Sequence, residues 1–156
     1  MGRGNVARLV GAAAALAAAA AVVPGAGAAI PWETVVRGGT LGGDGDDGAY
    51  ALMARTRASA RGTAELLARA DADRVTAVDF RRFGVVTVIR SFPSCGWSVR
   101  VRSLTRSGAT LRVSYAVRPP QKGTVVCQAL TRGYEVVRVP LASLRGVLVV
   151  RPVAVR

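Results

Sequence analysis

The chain has 156 residues, and 22 lysines and arginines against nine acidic residues give it a net charge of +13. It contains no histidine, so the usual general base and the commonest metal ligand are missing. A chain of this size fits one domain of ordinary length. All the basic residues except Lys122 are arginine, which suggests a coding bias as much as selection for charge.

The first 28 residues predict a secretory signal peptide. Arg3 and Arg8 precede an uncharged apolar run, residues 9–23, and Ala26-Gly27-Ala28 is a small-x-small cleavage sequence. The run is shorter than the roughly 20 residues of a membrane-spanning helix. We therefore expect cleavage after Ala28, and the alternative is a retained N-terminal anchor. No later apolar run approaches the length of a membrane span, and no cysteine that could carry a lipid lies near the cleavage site. We therefore expect a secreted protein with no transmembrane segment after the signal peptide.

The segment 29–49 is expected to be a flexible lead into a β-rich domain over 50–156. Residues 31–37 predict a short edge strand with Trp32 packed on the core, whereas the glycine-rich stretch 38–48 predicts a loop.

Three acidic residues in that stretch, Asp44, Asp46 and Asp47, invite comparison with a calcium loop. Arg55 stands where such a loop needs a glutamate. We therefore expect a solvated acidic loop, and no metal or cofactor.

One helix and a series of strands follow. Residues 50–56 predict a strand, 59–70 a helix with Ser59 as its N-cap, and 71–79 a loop. Further strands are expected over 84–90, 97–103, 110–117, 124–130, 134–139 and 146–155, the last at a sheet edge because of Pro152. This pattern predicts an α+β fold, a mostly antiparallel sandwich or partly rolled sheet with one short helix packed on it.

Two of these strands alternate between apolar and polar residues. Val99, Val101, Val113 and Tyr115 are expected to face the core, with the neighbouring arginines on the opposite face. A three-residue turn at 106–108 would set Val101 across from Val113.

The same register would place Arg102 across from Arg112 and Arg100 across from Ser114. Such a face can be a solvated surface. It can also hold an anion or a carboxylate between guanidinium groups, a geometry that suits arginine. Both interpretations stay open, and Arg100, Arg102 and Arg112 are the candidate partner face.

The two cysteines, Cys95 and Cys127, are expected to form a disulfide after export, because disulfides persist in oxidising compartments. They are too far apart in sequence for a redox or zinc motif. No nucleophile elbow or phosphate loop is present, so we expect no catalytic residues. Specific nucleic-acid binding is not expected either, because aromatic residues do not interleave with the arginines.

Several motifs resemble the C-terminal domain of the protease-complex subunit PrcB. They are Asp79-Phe80, Gly96-Trp97, where the family tends to show Gly-Gly-Tyr, and "QALTRGYEVVRVP" (128–140), where it usually has proline in place of Gly133. The resemblance covers most of 50–140. It implies a small exported β-rich domain that associates with a secreted protease in a stabilising or chaperone-like role.

We therefore expect a secreted, non-catalytic accessory or binding domain whose partner is another protein. One alternative is a protease inhibitor with a reactive loop at 118–123 that offers Arg118 or Lys122. Another is a module that binds a polyanion or the cell wall through its arginines.

Overall fold

The computed structural model describes residues 27–42 and 48–156. The predicted signal sequence up to residue 26 and the acidic residues 44, 46 and 47 lie outside the described residues. Cleavage after Ala28 stays a prediction.

Two four-stranded sheets pack against each other, which confirms the α+β, sandwich-like fold. Their strand orders are β1-β5-β6-β8 and β2-β7-β4-β3, and every pairing between the described residues is antiparallel except the one between β6 and β8. The strands are β1 (Ala28–Ala29), β2 (Glu33–Leu41), β3 (Ala49–Ala54), β4 (Phe83–Phe92), β5 (Ser98–Ser107), β6 (Thr110–Arg118), β7 (Thr131–Pro140) and β8 (Val149–Ala154). The helices are α1 (Arg57–Ala64), α2 (Arg69–Thr76) and a 3₁₀ turn, Leu141–Leu144.

The strands β4 and β7 are buried on both faces. One face packs on the other sheet, where Val88 and Val137 belong to the same apolar cluster as Val101. The opposite face packs under the helices, where Ile89 contacts the layer that contains Val75. Burial on both sides explains why β4 is almost continuously apolar. The prediction that it is a central strand is confirmed.

The predicted single helix is two helices. Thr56, not Ser59, is the N-cap of α1, and Ser59 completes a capping box as the third helical residue. The chain leaves α1 at Glu65 and starts α2 at Arg69, within a stretch expected to be continuous helix and then loop. The buried side chain of Leu67 turns the chain onto the sheet, a tertiary contact that overrides the weak helical pattern.

Two stretches differ from the expected strand and loop pattern. Residues 38–41, expected in a flexible loop, complete β2 and pair with 131–134 of β7, so 33–41 is an edge strand rather than a flexible lead. Residues 124–130, expected as a strand, form none. Val125 there is 96% exposed, so its side chain has no apolar layer to pack on.

The register predicted for the β5–β6 hairpin is wrong. The strands are joined by a two-residue turn, Gly108-Ala109, and Val101 pairs with Tyr115 rather than with Val113. A bulge between Val101 and Ser103 adds one residue, so the next buried side chain of β5 is Leu104. The bulge keeps the valines inside, and the simple alternation rule could not anticipate it.

The two-faced character of this hairpin is confirmed nonetheless. Its four predicted core residues, Val99, Val101, Val113 and Tyr115, are all buried. Arg102 lies in the bulge and Arg112 pairs with Thr105 and with Arg151 of β8, so these two arginines are not opposite each other.

Candidate functional site

One carboxylate is fully buried between the two sheets. Glu135 of β7 is 0% exposed and shares a face with Val137 and Val139, which belong to the apolar layer. An ionised group in such surroundings is costly unless it is paired and hydrogen-bonded. Its partners therefore identify a place where polar contacts organise the structure.

Three donors from two neighbouring strands satisfy Glu135. Its Oε1 atom accepts from Thr34 Oγ1 and from Arg37 Nε, both at 2.8 Å, and its Oε2 atom accepts from the backbone N–H of Val101 at 2.6 Å. Arg37 Nη2 also donates to Thr34 Oγ1 at 2.8 Å. Glu135 thus connects β2 with β5, which belong to different sheets.

Two bulges frame this carboxylate. The bulge in β2 lies between Thr34 and Val36, and it puts Thr34 and Arg37 on the same side of the strand. The bulge in β5 immediately follows Val101, whose N–H reaches Glu135. Bulges commonly redirect side chains and backbone groups in this way.

An open groove of about 510 Å³ lies beside Glu135, where β2 meets the beginning of β5. Both strands present an edge here, because β2 is the outer strand of its sheet and β1 pairs only with Thr105 and Arg106 of β5. We call it the arginine groove. Its lining residues are Trp32, Arg37, Arg100, Val101, Arg102 and Arg118.

The positive charge of the arginine groove is largely uncompensated. Among the described residues, the side chains of Arg100, Arg102 and Arg118 make no hydrogen bond or ion pair, and the Nε atom of Arg100 is buried without a partner. Both oxygens of the adjoining Glu135 are already engaged. Guanidinium groups in this state suit carboxylates and other oxyanions.

The structure separates the residues of the predicted partner face. Arg100 and Arg102 line the arginine groove, whereas Arg112 does not. Arg118, which was predicted only as part of a reactive loop, joins them. The sequence interpretation missed Arg37 and did not place Trp32 in a site. The sequence did carry one signal for the site. Residues 80–156 contain 14 basic residues and a single acidic residue, Glu135, which shares a strand face with valines.

The loop from Arg118 to Leu130 is anchored beside the groove. Cys95 and Cys127 are paired, with Cα atoms 5.3 Å apart, a normal disulfide separation. The N–H of Cys95 also donates to the carbonyl oxygen of Cys127 at 3.2 Å. Lys122 lies exposed in a turn that the hydrogen bond from Thr124 N to the Gln121 carbonyl closes at 3.1 Å.

A second buried polar contact lies on the opposite face of β7. The hydroxyl of Tyr134 donates to Asp71 Oδ2 at 2.6 Å and accepts from the backbone N–H of Ala68 at 3.0 Å. Burial, and next the hydrogen bond to Asp71, raise the pKa of Tyr134 to about 12. The contact fastens the start of α2 to the sheet.

The described residues hold no cluster of three or more histidine, cysteine, aspartate or glutamate side chains that could bind a metal ion. None of the helices in this part of the chain is long and apolar enough to cross a membrane.

Comparison with known protein families gives a match over the central strands of the chain. Residues 85–140 match the family described as PrcB C-terminal. The chain carries a PrcB C-terminal-like domain. The match spans a little over a third of the chain and runs from β4 to β7, so it includes Arg100, Arg102 and Arg118 of the groove. Searches of curated proteins and of solved structures found no significant match.

The PrcB-like motif "TRGYEVVRVP" forms strand β7. The buried hydrogen bonds of Tyr134 and Glu135 give these two residues of the motif a structural role. Tyr134 holds the helices on one face of the strand and Glu135 holds the second sheet on the other. Gly133 fits beneath a ring, because an added Cβ atom would lie 2.8 Å from Phe92 Cε2.

Proposed function

We propose that this protein is an exported, non-catalytic binding domain that associates with an extracellular protease and stabilises it. The observation that carries the proposal is the PrcB C-terminal match, since β5 and β6 inside it also supply three arginines of the groove. The paired cysteines are compatible with an oxidising compartment. We assign partner contact to the arginine groove.

The chemistry of the groove supports binding rather than catalysis. Arginine side chains stay protonated and act as donors, so they neither attack a substrate nor accept its proton. Glu135, the carboxylate next to the groove, has both oxygens occupied by donors and no exposed surface. These properties favour recognition of an anionic surface.

Co-purification with a protease tests the proposal. We compare the wild-type chain with a groove variant, Arg100→Ser/Arg102→Ser/Arg118→Ser, after exposure to culture supernatant of the producing cells. The control variant is Arg112→Ser/Arg145→Ser/Arg151→Ser, which removes the same charge from exposed positions outside the groove. Zymography and mass spectrometry should find one protease with the wild type and the control, and not with the groove variant. If wild-type protein captures no protease, the proposal is wrong.

A protease inhibitor is the second candidate, and one observation favours it. Lys122 lies exposed in a turn, within a loop that the cysteine pair anchors. A trypsin inhibition assay with wild type and Lys122→Ala separates the two functions. Inhibition that Lys122→Ala abolishes would support this candidate, whereas cleavage after Lys122 without inhibition would reject it.

A further inference from the structure

We propose that the arginine groove binds the carboxylates of an extended, acidic peptide segment of the partner protein. The inference rests on the proposed function and names the chemistry by which the groove recognises its partner. Three features carry it: an arginine held in place by Glu135, two strand edges that flank the groove, and charge that no described residue neutralises.

Arg37 is oriented before any ligand arrives. Its Nε atom donates to Glu135 and its Nη2 atom donates to Thr34, so the plane of the guanidinium is fixed. The side chain is still 41% exposed, and its Nη1 atom makes no hydrogen bond within the described residues. Because this donor is already ordered, its side chain loses less conformational entropy when a ligand binds, and this favours binding.

The shape of the groove favours a peptide over a compact ion. The outer edge of β2 and the beginning of β5 flank it, and sheet edges expose backbone groups that an extended peptide can pair with. Trp32 is half-buried and adds a flat apolar wall. A polyphosphate or a sulfated sugar would use the arginines but not the backbone groups of the edges.

Charge complementarity selects the side chains of that peptide. Four guanidinium groups line one groove, and within the described part of the chain Glu135 forms an ion pair only with Arg37. The remaining three repel one another until an anion neutralises them. Glutamate and aspartate carboxylates accept two parallel hydrogen bonds from a guanidinium group.

Direct binding of a defined peptide tests the inference. The probe is fluorescein-labelled hexaglutamate, with hexaglutamine as the neutral peptide, measured by anisotropy at low salt. We expect hexaglutamate alone to bind, and the groove variant to bind it at least about tenfold more weakly than the wild type. The control variant should stay within about threefold, because it retains the groove and loses only distant charge.

Three results would overturn the inference. They are absence of hexaglutamate binding, equal loss of affinity in the groove and control variants, and tighter groove-dependent binding of a heparin hexasaccharide or an oligothymidylate than of hexaglutamate. The last result would assign the groove to a polyanion or a nucleic acid.

The peptide test and the co-purification test can fail separately. Groove-dependent capture of a protease without hexaglutamate binding would leave the proposed function standing and remove this inference. Groove-dependent binding of hexaglutamate without capture of a protease would support the inference and remove the protease from the proposed function.

Discussion

Tyr134 and Glu135 are neighbours on one strand, yet they serve two different surfaces. Successive residues of a strand point to opposite faces, so Tyr134 contacts the helices while Glu135 contacts β2 and β5. Both are fully buried and both are hydrogen-bonded. The helix-side contact is closed, because Tyr134 is paired with Asp71 and with the Ala68 amide.

The contact on the other face is only partly closed. Glu135 itself is fully satisfied, but its partner Arg37 remains exposed at the arginine groove. One strand can therefore stabilise two layers with buried polar groups and leave an exposed hydrogen-bond donor on only one of its faces. We therefore expect substitutions on the helix side of β7 to change only stability. Substitutions on the groove side should change both stability and binding.

Removal of the Glu135 carboxylate should have the largest effect. Glu135→Ala leaves the Val101 amide and Arg37 without their acceptor inside the sandwich, and we expect a loss of about 3–5 kcal/mol in the free energy of unfolding. Glu135→Gln keeps the shape and some hydrogen bonds, so it should lose about 1–3 kcal/mol. Urea denaturation followed by circular dichroism measures both.

The matched control for this prediction is Glu33→Gln. Glu33 pairs with Arg138 at the surface and is 67% exposed, so its loss should cost less than about 1 kcal/mol. Equal effects at Glu33 and Glu135 would contradict the role assigned to the buried carboxylate.

Tyr134→Phe should have the next largest effect. It removes the acceptor of the Ala68 amide and the donor to Asp71, and we expect a loss of about 1–3 kcal/mol by the same denaturation method. Tyr50→Phe is the control, because the Tyr50 hydroxyl makes no hydrogen bond with a described residue. Tyr134→Phe should leave hexaglutamate binding unchanged, because the Tyr134 hydroxyl contacts the helices and not the arginine groove.

Alkaline pH should weaken the stabilising contact of Tyr134. The folded-state pKa of Tyr134 is raised to about 12 against an ordinary value of 10.0, so the folded chain holds this proton after the unfolded chain has lost it. The contribution of Tyr134 is therefore complete below pH 10 and declines between pH 10 and about 12. The stability difference between wild type and Tyr134→Phe should shrink over this interval; a constant difference would exclude the titration.

The groove variant should have the smallest effect on stability. Arg100, Arg102 and Arg118 make no side-chain hydrogen bond or ion pair with described residues, so each substitution should change the free energy of unfolding by less than about 0.5 kcal/mol. Thermal denaturation of the groove and control variants checks this. A large loss in the groove variant alone would mean that these arginines support the fold rather than a ligand.

The sequence was sufficient for the layers of the fold. Alternation in 97–117 predicted which side of the hairpin is buried, and the β-branched run of 84–90 predicted a central strand. Both succeed because burial of one or both faces constrains every residue of a strand. The pairing of Cys95 with Cys127 was likewise expected, because disulfides persist in the oxidising compartment to which an exported chain is delivered.

The candidate site was less accessible to sequence reasoning. It depends on bulges after Thr34 and after Val101, and a bulge changes the register without a distinct sequence pattern. It also brings together Arg37 of β2 and Arg100 of β5, which belong to different sheets. The alternation rule therefore identified Arg100 and Arg102 but grouped them with Arg112 instead of with Arg37 and Arg118.

Hydrogen exchange measured by mass spectrometry, with and without hexaglutamate, shows whether the ligand binds in the arginine groove. We expect slower exchange in peptides that cover 32–37 and 98–102, because both edges of the groove contact the ligand. Exchange over α1 and α2 should not change. Protection over the helices or over β8, with none at the two edges, would contradict the assignment of binding to the arginine groove.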